Sequence, residues 1–187
     1  MVDEPVLQRS IELLSSLIFY VTTTEDDNPY TCEGIPNKRR QKILRELDIC
    51  SLVTLMLSSP FKTEQFLLAD IRKNQSITLC CTLCYRLIKH LVKGNRLNEL
   101  YASNWIDLYF DQAMQTADDN DIKAESTITE LISNNKKLLE EQISEETIIK
   151  FINLCKAQKR HRRFIDLLTA LCSSLGHAIP SNQALIC

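Results

Sequence analysis

Apolar residues recur every three or four positions along nearly the whole chain, which is the period of an α-helix that buries one face. Near the N-terminus this buried stripe consists of Leu7, Ile11, Leu14 and Ile18. Pro5 stands where proline suits the first turn of a helix. The first element of the chain is therefore predicted to be an amphipathic helix.

The most apolar segment is Ile77–Lys93. Its predicted buried stripe is Ile77, Cys80, Cys84, Leu87 and Leu91. The opposite side is polar and cationic and is predicted to face solvent, and it carries Thr82, Arg86, Lys89 and Lys93. Gly94 suits the residue just after a helix and Asn95 suits the N-cap of the next one, so Arg96 is predicted to lie in a first helical turn.

The same spacing predicts further helices over Ile49–Leu57, from about Glu64, and over Trp105–Met114, Ile122–Ser133, Lys136–Gln142 and Glu145–Gln158. A later stripe, predicted to end at Gly176, contains Phe164, Leu168, Leu171 and Leu175. Ser144 and Ser181 are predicted to cap the helices that follow them. Thr22–Pro36 is predicted to be a loop of about 15 residues, a length typical of functional or mobile loops.

Helices of about 10 to 17 residues with short connections predict an all-α fold, in which stacked helix pairs form an armadillo-like solenoid. No strict sequence period is visible, so this expectation depends on the rhythm of helices alone. The 187 residues suit a single α-helical domain over 1–187. Because the last predicted helix stops at Cys187, we expect the chain to be part of a larger protein.

The stretch Pro36–Asp48 contains the most unusual charge pattern. Asn37 is a good N-cap for the helix that follows it. At 100° per residue, Lys38, Lys42 and Arg45 fall within about 60° of one another on one face. Ile43, Leu44 and Leu47 fall on the opposite face, which is predicted to be buried. The helix is therefore predicted to be amphipathic, with a cationic side.

These cations are placed where they repel. Lys38 and Arg39 lie in the first turn, where the helix dipole is already positive, and each costs roughly 0.3–1 kcal/mol there. Lys38 and Lys42 also repel at i,i+4. A multiply charged anion would reverse both penalties, because backbone N–H groups and ammonium groups would face one ligand. A solvated basic face is the alternative interpretation.

Composition limits the classes of function. The net charge is −2, so no global field attracts nucleic acid, and an anion site has to be local. Met1–Pro5 is acidic and unlike a signal peptide, and Arg86 and Lys89 interrupt the longest apolar stretch, so no membrane insertion by this segment is expected. The 8 cysteines are expected to be free thiols in a reducing compartment.

No catalytic or metal centre is predicted. Cys81–Cys84 is a CxxC, but no second pair of ligands completes a zinc site, so core packing is expected. Asp118–Asp121 lacks the glycine and glutamate of a calcium loop and is predicted to be an acidic turn. The histidines, His90, His161 and His177, show no partner for nucleophilic catalysis, so we expect no enzyme and no cofactor. Lys159–Arg163 is either a solvated helix start or a surface for an acidic partner or domain.

Pro36–Glu46 resembles the start of the α-helical half of the ligand-binding core in inositol trisphosphate receptors. The likeness continues in order through Leu83–Arg86, Glu125–Thr129, Asn134–Glu140, Arg163–Asp166, Ile179–Pro180 and Gln183–Cys187. Collinear matches thus cover nearly the whole chain, and it resembles the homology domain shared by inositol trisphosphate and ryanodine receptors.

The resemblance implies a function. In the family, this armadillo-like domain closes against a β-trefoil of the same polypeptide, and the two clamp the phosphates of inositol trisphosphate. Closure is relayed to a homotetrameric calcium channel, with this domain on the cytosolic side of the endoplasmic reticulum membrane. The resemblance implies phosphate contacts from Lys38, Lys42, Arg45 and Arg96. It implies structural or secondary basic roles for Arg40 and Arg39.

The chain departs from the family pattern at several positions. Lys38 replaces an arginine, which keeps the charge but loses the bidentate fork. The family's Tyr-Arg-Lys cluster appears here as Asn95-Arg96-Leu97, so only its arginine remains. Gly94–Arg96 and Ser181–Gln183 look closer to ryanodine receptors, which do not bind inositol trisphosphate. The alternatives are therefore a ligand-binding half-core, a gating relay that does not bind this ligand, and a helical scaffold unrelated to channels.

Overall fold

The structure is a computed structural model that describes residues 4–58, 74–115, 122–133, 135–157 and 162–186. The N-terminal part contains α1 (Glu4–Val21), β1 (Thr22–Thr23), β2 (Ile35–Pro36), α2 (Lys38–Glu46) and α3 (Ile49–Ser58). The central part contains α4 (Gln75–Val92), α5 (Arg96–Ala102), a 3₁₀ turn (Ser103–Trp105), α6 (Ile106–Gln115) and α7 (Ala124–Ile132). The C-terminal part contains α8 (Lys136–Glu141), α9 (Glu145–Ala157), α10 (Arg162–Cys172), β3 (Ser173–Ser174), β4 (His177–Ala178) and α11 (Pro180–Ile186).

The all-α prediction is confirmed, because the only strands among the described residues are two short antiparallel ribbons, β1–β2 and β3–β4. Helix α4 lies at the centre and packs against α1, α3, α5 and α7. Helix α7 in turn packs against α6 and α10, and α10 and α9 pack against α11. Helices thus stack from one end of the chain to the other, which is compatible with an α-solenoid. The armadillo-type repeat stays a prediction.

The core is continuous along this stack. Leu14 and Ile18 of α1 and Leu83 and Leu87 of α4 are buried at one end, and Phe151 at the other. The aromatic rings of Phe110, Phe151 and Phe164 pack edge to face, with centroids 5.5 to 6.1 Å apart. Cys80, Cys81 and Cys84 are also buried, so the prediction that these thiols serve core packing is confirmed.

Most helix ends follow their capping residues. The side chain of Asn95 accepts a hydrogen bond from Asn98 N, so α5 begins at Arg96 as predicted. Gly94 has a φ of +62°, the left-handed conformation expected of a residue just after a helix. The hydroxyl of Ser144 likewise accepts from Thr147 N at 3.1 Å at the start of α9.

Two predictions for the C-terminal part are wrong. Helix α10 ends at Cys172, and Leu175, expected in the buried stripe, is 66% exposed in the turn of the β3–β4 ribbon. The ribbon replaces the last helical turn because Leu175 and Gly176 both adopt positive φ. Helix α11 begins at Pro180 rather than after Ser181, because proline suits the first helical position.

Several predictions fall outside the described residues. They are the helix from about Glu64, the acidic turn Asp118–Asp121, and the Lys159–His161 part of the second basic run. Among the residues that the structure does describe, no helix combines the length and the apolar character that a membrane span requires.

Candidate functional site

Helix α2 is placed by a polar contact together with only part of the apolar face that the sequence predicts. Asn37 caps it, with Oδ1 accepting from Arg40 N at 3.1 Å. The fully buried residue is Gln41, accompanied by Leu44, whereas Leu47 is 61% exposed. The prediction for Leu47 is wrong because α2 turns its Gln41 side toward the junction of α4 and α5. That junction presents carbonyl oxygens, which an amide can bond and a leucine cannot.

Gln41 is the centre of this contact, and its role was not predicted. Its Nε2 donates to His90 O at 2.8 Å and to Lys93 O at 3.1 Å. Its Oε1 accepts from Asn95 Nδ2 at 3.1 Å. A buried amide with all these partners fixes one orientation of α2 against the end of α4. A glutamine one turn after the N-cap, within a cationic run, is the only sequence signal for it.

Two of the predicted phosphate ligands lie at the same junction. Lys38 Nζ donates to Gly94 O and, at 3.3 Å, to Lys93 O. Arg45 Nη1 donates to Asn98 Oδ1 at 2.8 Å. Both cations are therefore held by neutral oxygen atoms, and neither forms an ion pair with a carboxylate of the residues that the structure describes.

Arg96 adds a third cation to the junction, because it lies in the first turn of α5 between Gly94 and Asn98. Its charge and that of Lys38 both act on the carboxylate of Glu99, which is buried. Burial raises the pKa of Glu99, and Glu130 adds to the rise. The hydrogen bond from Asn135 and the charges of Arg96 and Lys38 oppose it. Lys38, Arg45 and Arg96 thus surround one helix junction.

The remaining predicted cations lie apart from that junction. Lys42 is exposed and forms an i,i+4 pair with Glu46, with Nζ 3.7 Å from Oε1. Arg39 is exposed. Arg40 extends to α1, where Nη1 donates to Tyr20 O at 2.8 Å and the guanidinium lies 4.9 Å from the centroid of the Tyr20 ring. We call Lys38, Lys42, Arg45 and Arg96 together the basic face.

A second set of cations lies on α4, on the side that was predicted to face solvent. Arg86 is only 8% exposed, so the prediction for it is wrong. The hairpin of residues 22–36 covers it, with Arg86 Nη2 donating to Cys32 O. Glu33 Oε1 lies 2.8 Å from Lys89 Nζ and 3.5 Å from Arg86 Nη1, and its Oε2 lies 3.5 Å from Lys93 Nζ. We call Arg86, Lys89 and Lys93 the clamped stripe.

The electrostatics of Glu33 reflect these three cations. Burial opposes its charged form, but the hydrogen bond from Lys89 and the charges of Lys89, Arg86 and Lys93 outweigh burial and lower its pKa. The predicted loop therefore has ordered contacts. Its two ends pair as β1 and β2, and its interior lies across α4.

His90 does have a cysteine neighbour, contrary to the prediction. Cys32 Sγ lies 3.9 Å from His90 Nε2, and both side chains are buried beneath the hairpin. Burial and the charge of Arg86 lower the pKa of His90 to about 4, while burial raises the pKa of the Cys32 thiol. A neutral thiol beside a neutral imidazole lacks the thiolate that nucleophilic chemistry requires.

Two other features bear on ligand binding. Within the described residues, no group of three or more His, Cys, Asp or Glu side chains could hold a metal ion. A cleft of about 360 Å³ includes no residue of the basic face and is lined by Lys89, Lys123, Glu125, Ser126, Thr129, Glu130, Ser133 and Asp166. Its three carboxylates offset its two lysines, so it does not suit a polyanion.

Comparison with known protein families adds to this geometry. Residues 11–187 match the family model described as the RIH domain, which is common to ryanodine and inositol trisphosphate receptors. The chain belongs to the RIH domain family. This assignment removes the alternative of an unrelated helical scaffold.

Named relatives of this RIH domain are inositol trisphosphate receptors. The chain is 28% identical over 201 residues to the inositol 1,4,5-trisphosphate receptor itr-1 of Caenorhabditis elegans, covering 100% of the chain and 7% of that protein. It is 28% identical over 177 residues to the inositol 1,4,5-trisphosphate receptor-like protein A of Dictyostelium discoideum, covering 94% of the chain and 5% of that protein. The RIH domain thus corresponds to a small part of each relative.

Proposed function

We propose that this RIH domain is a non-catalytic binding and relay domain of an inositol trisphosphate-gated calcium release channel. Lys38, Lys42, Arg45 and Arg96 supply phosphate contacts, and the ligand is bound without cofactor or chemical change. The domain closes against a β-trefoil of the same polypeptide. Closure is relayed to the pore of a homotetramer, on the cytosolic side of the endoplasmic reticulum membrane.

The observation that carries this proposal is the gathering of Lys38, Arg45 and Arg96 at the α4–α5 junction. A lysine ammonium has three donor hydrogens, so Lys38 keeps one donor beyond its two carbonyl contacts. Arg45 likewise uses one of its five N–H donors on Asn98. These groups are oriented by neutral partners and keep donors for phosphate oxygens, which supports anion binding.

The test is a calorimetric titration of inositol 1,4,5-trisphosphate into the chain at low ionic strength. We expect weak binding that Lys42→Ala and Arg45→Ala each reduce about tenfold, since one charge-assisted contact contributes about 1.5 kcal/mol. Lys136→Ala is the matched control, because Lys136 forms an exposed i,i+4 pair with Glu140 at 3.5 Å, much as Lys42 does with Glu46. Equal affinities in all four proteins would contradict the assignment of the basic face.

A gating relay that does not bind this ligand is the second candidate, and one observation favours it. Asn95 serves as the N-cap of α5 and bonds to Gln41, and Leu97 beside Arg96 is 63% exposed and uncharged. Arg96 is therefore the only cation of that triplet. If the domain joined to a β-trefoil of its own polypeptide gives no saturable binding, the relay function is supported instead. An acidic neighbouring domain is then the proposed partner of the basic face.

A further inference from the structure

One side chain of the hairpin of residues 22–36, that of Glu33, contacts every cation of the clamped stripe. Glu33 lies 2.8 to 3.5 Å from Arg86 and Lys89 of α4 and from Lys93, which directly follows α4. Lys93 Nζ also donates to Gly34 O at 3.4 Å. The C-terminal end of α4 is therefore held by the hairpin through the side chain of Lys93.

The backbone of the same residue supports the basic face. Lys93 O accepts from Lys38 Nζ at 3.3 Å and from Gln41 Nε2 at 3.1 Å. Its side chain thus binds the hairpin while its carbonyl oxygen orients two residues of α2. A shift of Lys93 would move the acceptor of both contacts.

The hairpin and α2 are also joined through the chain. Residue 36 ends β2, and Asn37, the N-cap of α2, donates its backbone N–H to Val21 O at 2.8 Å. The two strands of the hairpin pack tightly at Gly34, since a Cβ atom there would lie 2.5 Å from Thr23 O. The hairpin, α2 and the end of α4 are therefore connected to one another in a cycle. Lys93 completes this cycle, because its side chain contacts the hairpin and its carbonyl oxygen contacts α2.

We propose that Glu33 is a positioning residue of the basic face, which acts through Lys93 to hold Lys38 and Gln41 against the α4–α5 junction. The ligand part of this inference rests on the proposed function, whereas the mechanical part does not. Glu33 touches no ligand itself. Its loss loosens the end of α4 and the start of α2 together, and so weakens anion binding.

The loss of the negative charge of Glu33, taken by itself, has the opposite effect on anion binding. Neutralising a carboxylate raises the positive potential of the domain and strengthens anion binding, and salt screens that effect. Glu25→Gln is the matched control, because Glu25 is an exposed carboxylate of the same hairpin. Glu33→Gln and Glu25→Gln make the same change of charge, so a difference between them reports the contacts of Glu33.

The experiment has two readouts. The first is backbone hydrogen exchange at Arg40 and Gln41, whose N–H groups bond to Asn37. The second is the affinity for inositol 1,4,5-trisphosphate at low and moderate salt. We expect Glu33→Gln to speed exchange at both amides and to weaken binding about fivefold relative to Glu25→Gln. Because the reference is a variant with the same charge, this loss is expected to persist at moderate salt.

Lys93→Gln and the double variant Glu33→Gln/Lys93→Gln complete the test. Both single variants break the same link, so hydrogen exchange in the double variant is expected to resemble that in the single variants rather than to show the sum of their effects. Additive effects on exchange, or a Glu33→Gln protein that matches Glu25→Gln in both readouts, would overturn the positioning role. If the wild-type chain binds no inositol trisphosphate but exchange responds as expected, the proposed function fails and the positioning role of Glu33 stands.

Discussion

Helix α2 and helix α4 each carry a row of cations on one side, and the two rows have opposite environments. The row on α2 is Lys38, Lys42 and Arg45 of the basic face, and the row on α4 is the clamped stripe. On α4, Arg86 and Lys89 are nearly covered, with side-chain exposures of 10% and 14%, and a carboxylate faces them. On α2, Lys38 and Arg45 contact a carbonyl oxygen and an amide oxygen, and Lys42 has a weak, exposed pair with Glu46.

The difference teaches that a row of cations does not by itself indicate an open anion site. A carboxylate from a distant part of the chain decides whether the row is neutralised, and here Glu33 does so for α4. The basic face is the better candidate for ligand binding because two of its members, Lys38 and Arg45, are oriented by neutral oxygen atoms. An exposed pair such as Lys42–Glu46 contributes little and yields to a stronger anion.

The largest effect that tests this comparison is the pH dependence of the unfolding free energy that His90 causes. His90 lies beneath the hairpin and beside the clamped stripe. Burial and the charge of Arg86 hold its pKa near 4 in the folded state, whereas the unfolded chain takes up the proton near pH 6.5. The stabilisation from the neutral imidazole is therefore fully present above pH 6.5. It is lost as the pH falls toward 4, and amounts to about 3 kcal/mol.

Urea unfolding of the wild type and of His90→Phe between pH 7 and pH 4 measures this effect. The difference in unfolding free energy between the two proteins should change by about 3 kcal/mol across that range, whatever its value at pH 7. His177→Phe serves as the control, because His177 is exposed on β4. Parallel pH profiles for His90→Phe and the wild type would show that the imidazole is not held neutral by its surroundings.

The next effect compares an arginine of the clamped stripe with an exposed arginine of α2 that lies outside the basic face. Arg86→Met removes a buried guanidinium that donates to Cys32 O and neighbours Glu33, and it should lower the unfolding free energy by about 2 kcal/mol. Arg39→Met removes an exposed arginine of α2 and should change the unfolding free energy by less than about 0.5 kcal/mol. Chemical denaturation at pH 7 measures both. Similar losses of unfolding free energy for the two variants would mean that Arg86 is not more buried than Arg39.

Much of the fold follows from the sequence because local signals determine it. The 3.6-residue period predicts α1 and α4 closely, and Asn37, Asn95 and Gly94 mark helix ends through contacts within a few residues. Such contacts depend little on the rest of the molecule. The helical period likewise predicts that Lys38 and Arg45 share one face of α2, whereas the grouping of Arg96 with them is implied by the family resemblance alone.

The errors share a different cause. Arg86 is predicted to be exposed to solvent because the sequence of α4 alone gives no sign that residues 22–36 fold across this helix. Leu47 is exposed, and Gln41, for which the sequence predicts no role, is buried, because the surface that α2 meets is a polar helix junction. Period and polarity show which residues share a face, but the segment that covers the face comes from far along the chain.

The smallest predicted effect concerns Glu46, the carboxylate that pairs with Lys42 of the basic face. Glu46→Gln removes an exposed i,i+4 pair whose atoms lie 3.7 Å apart, so it should lower the unfolding free energy by only about 0.3 kcal/mol. Because the same change frees Lys42, it should strengthen inositol trisphosphate binding more than Glu140→Gln does, which makes the same change of charge and breaks the matching Lys136 pair. Denaturation and calorimetry on both variants measure these effects. Weaker binding by Glu46→Gln would mean that the carboxylate orients Lys42 for the ligand. Cations on both α2 and α4 would then depend on an ionic partner, and the two helices would not differ in this respect.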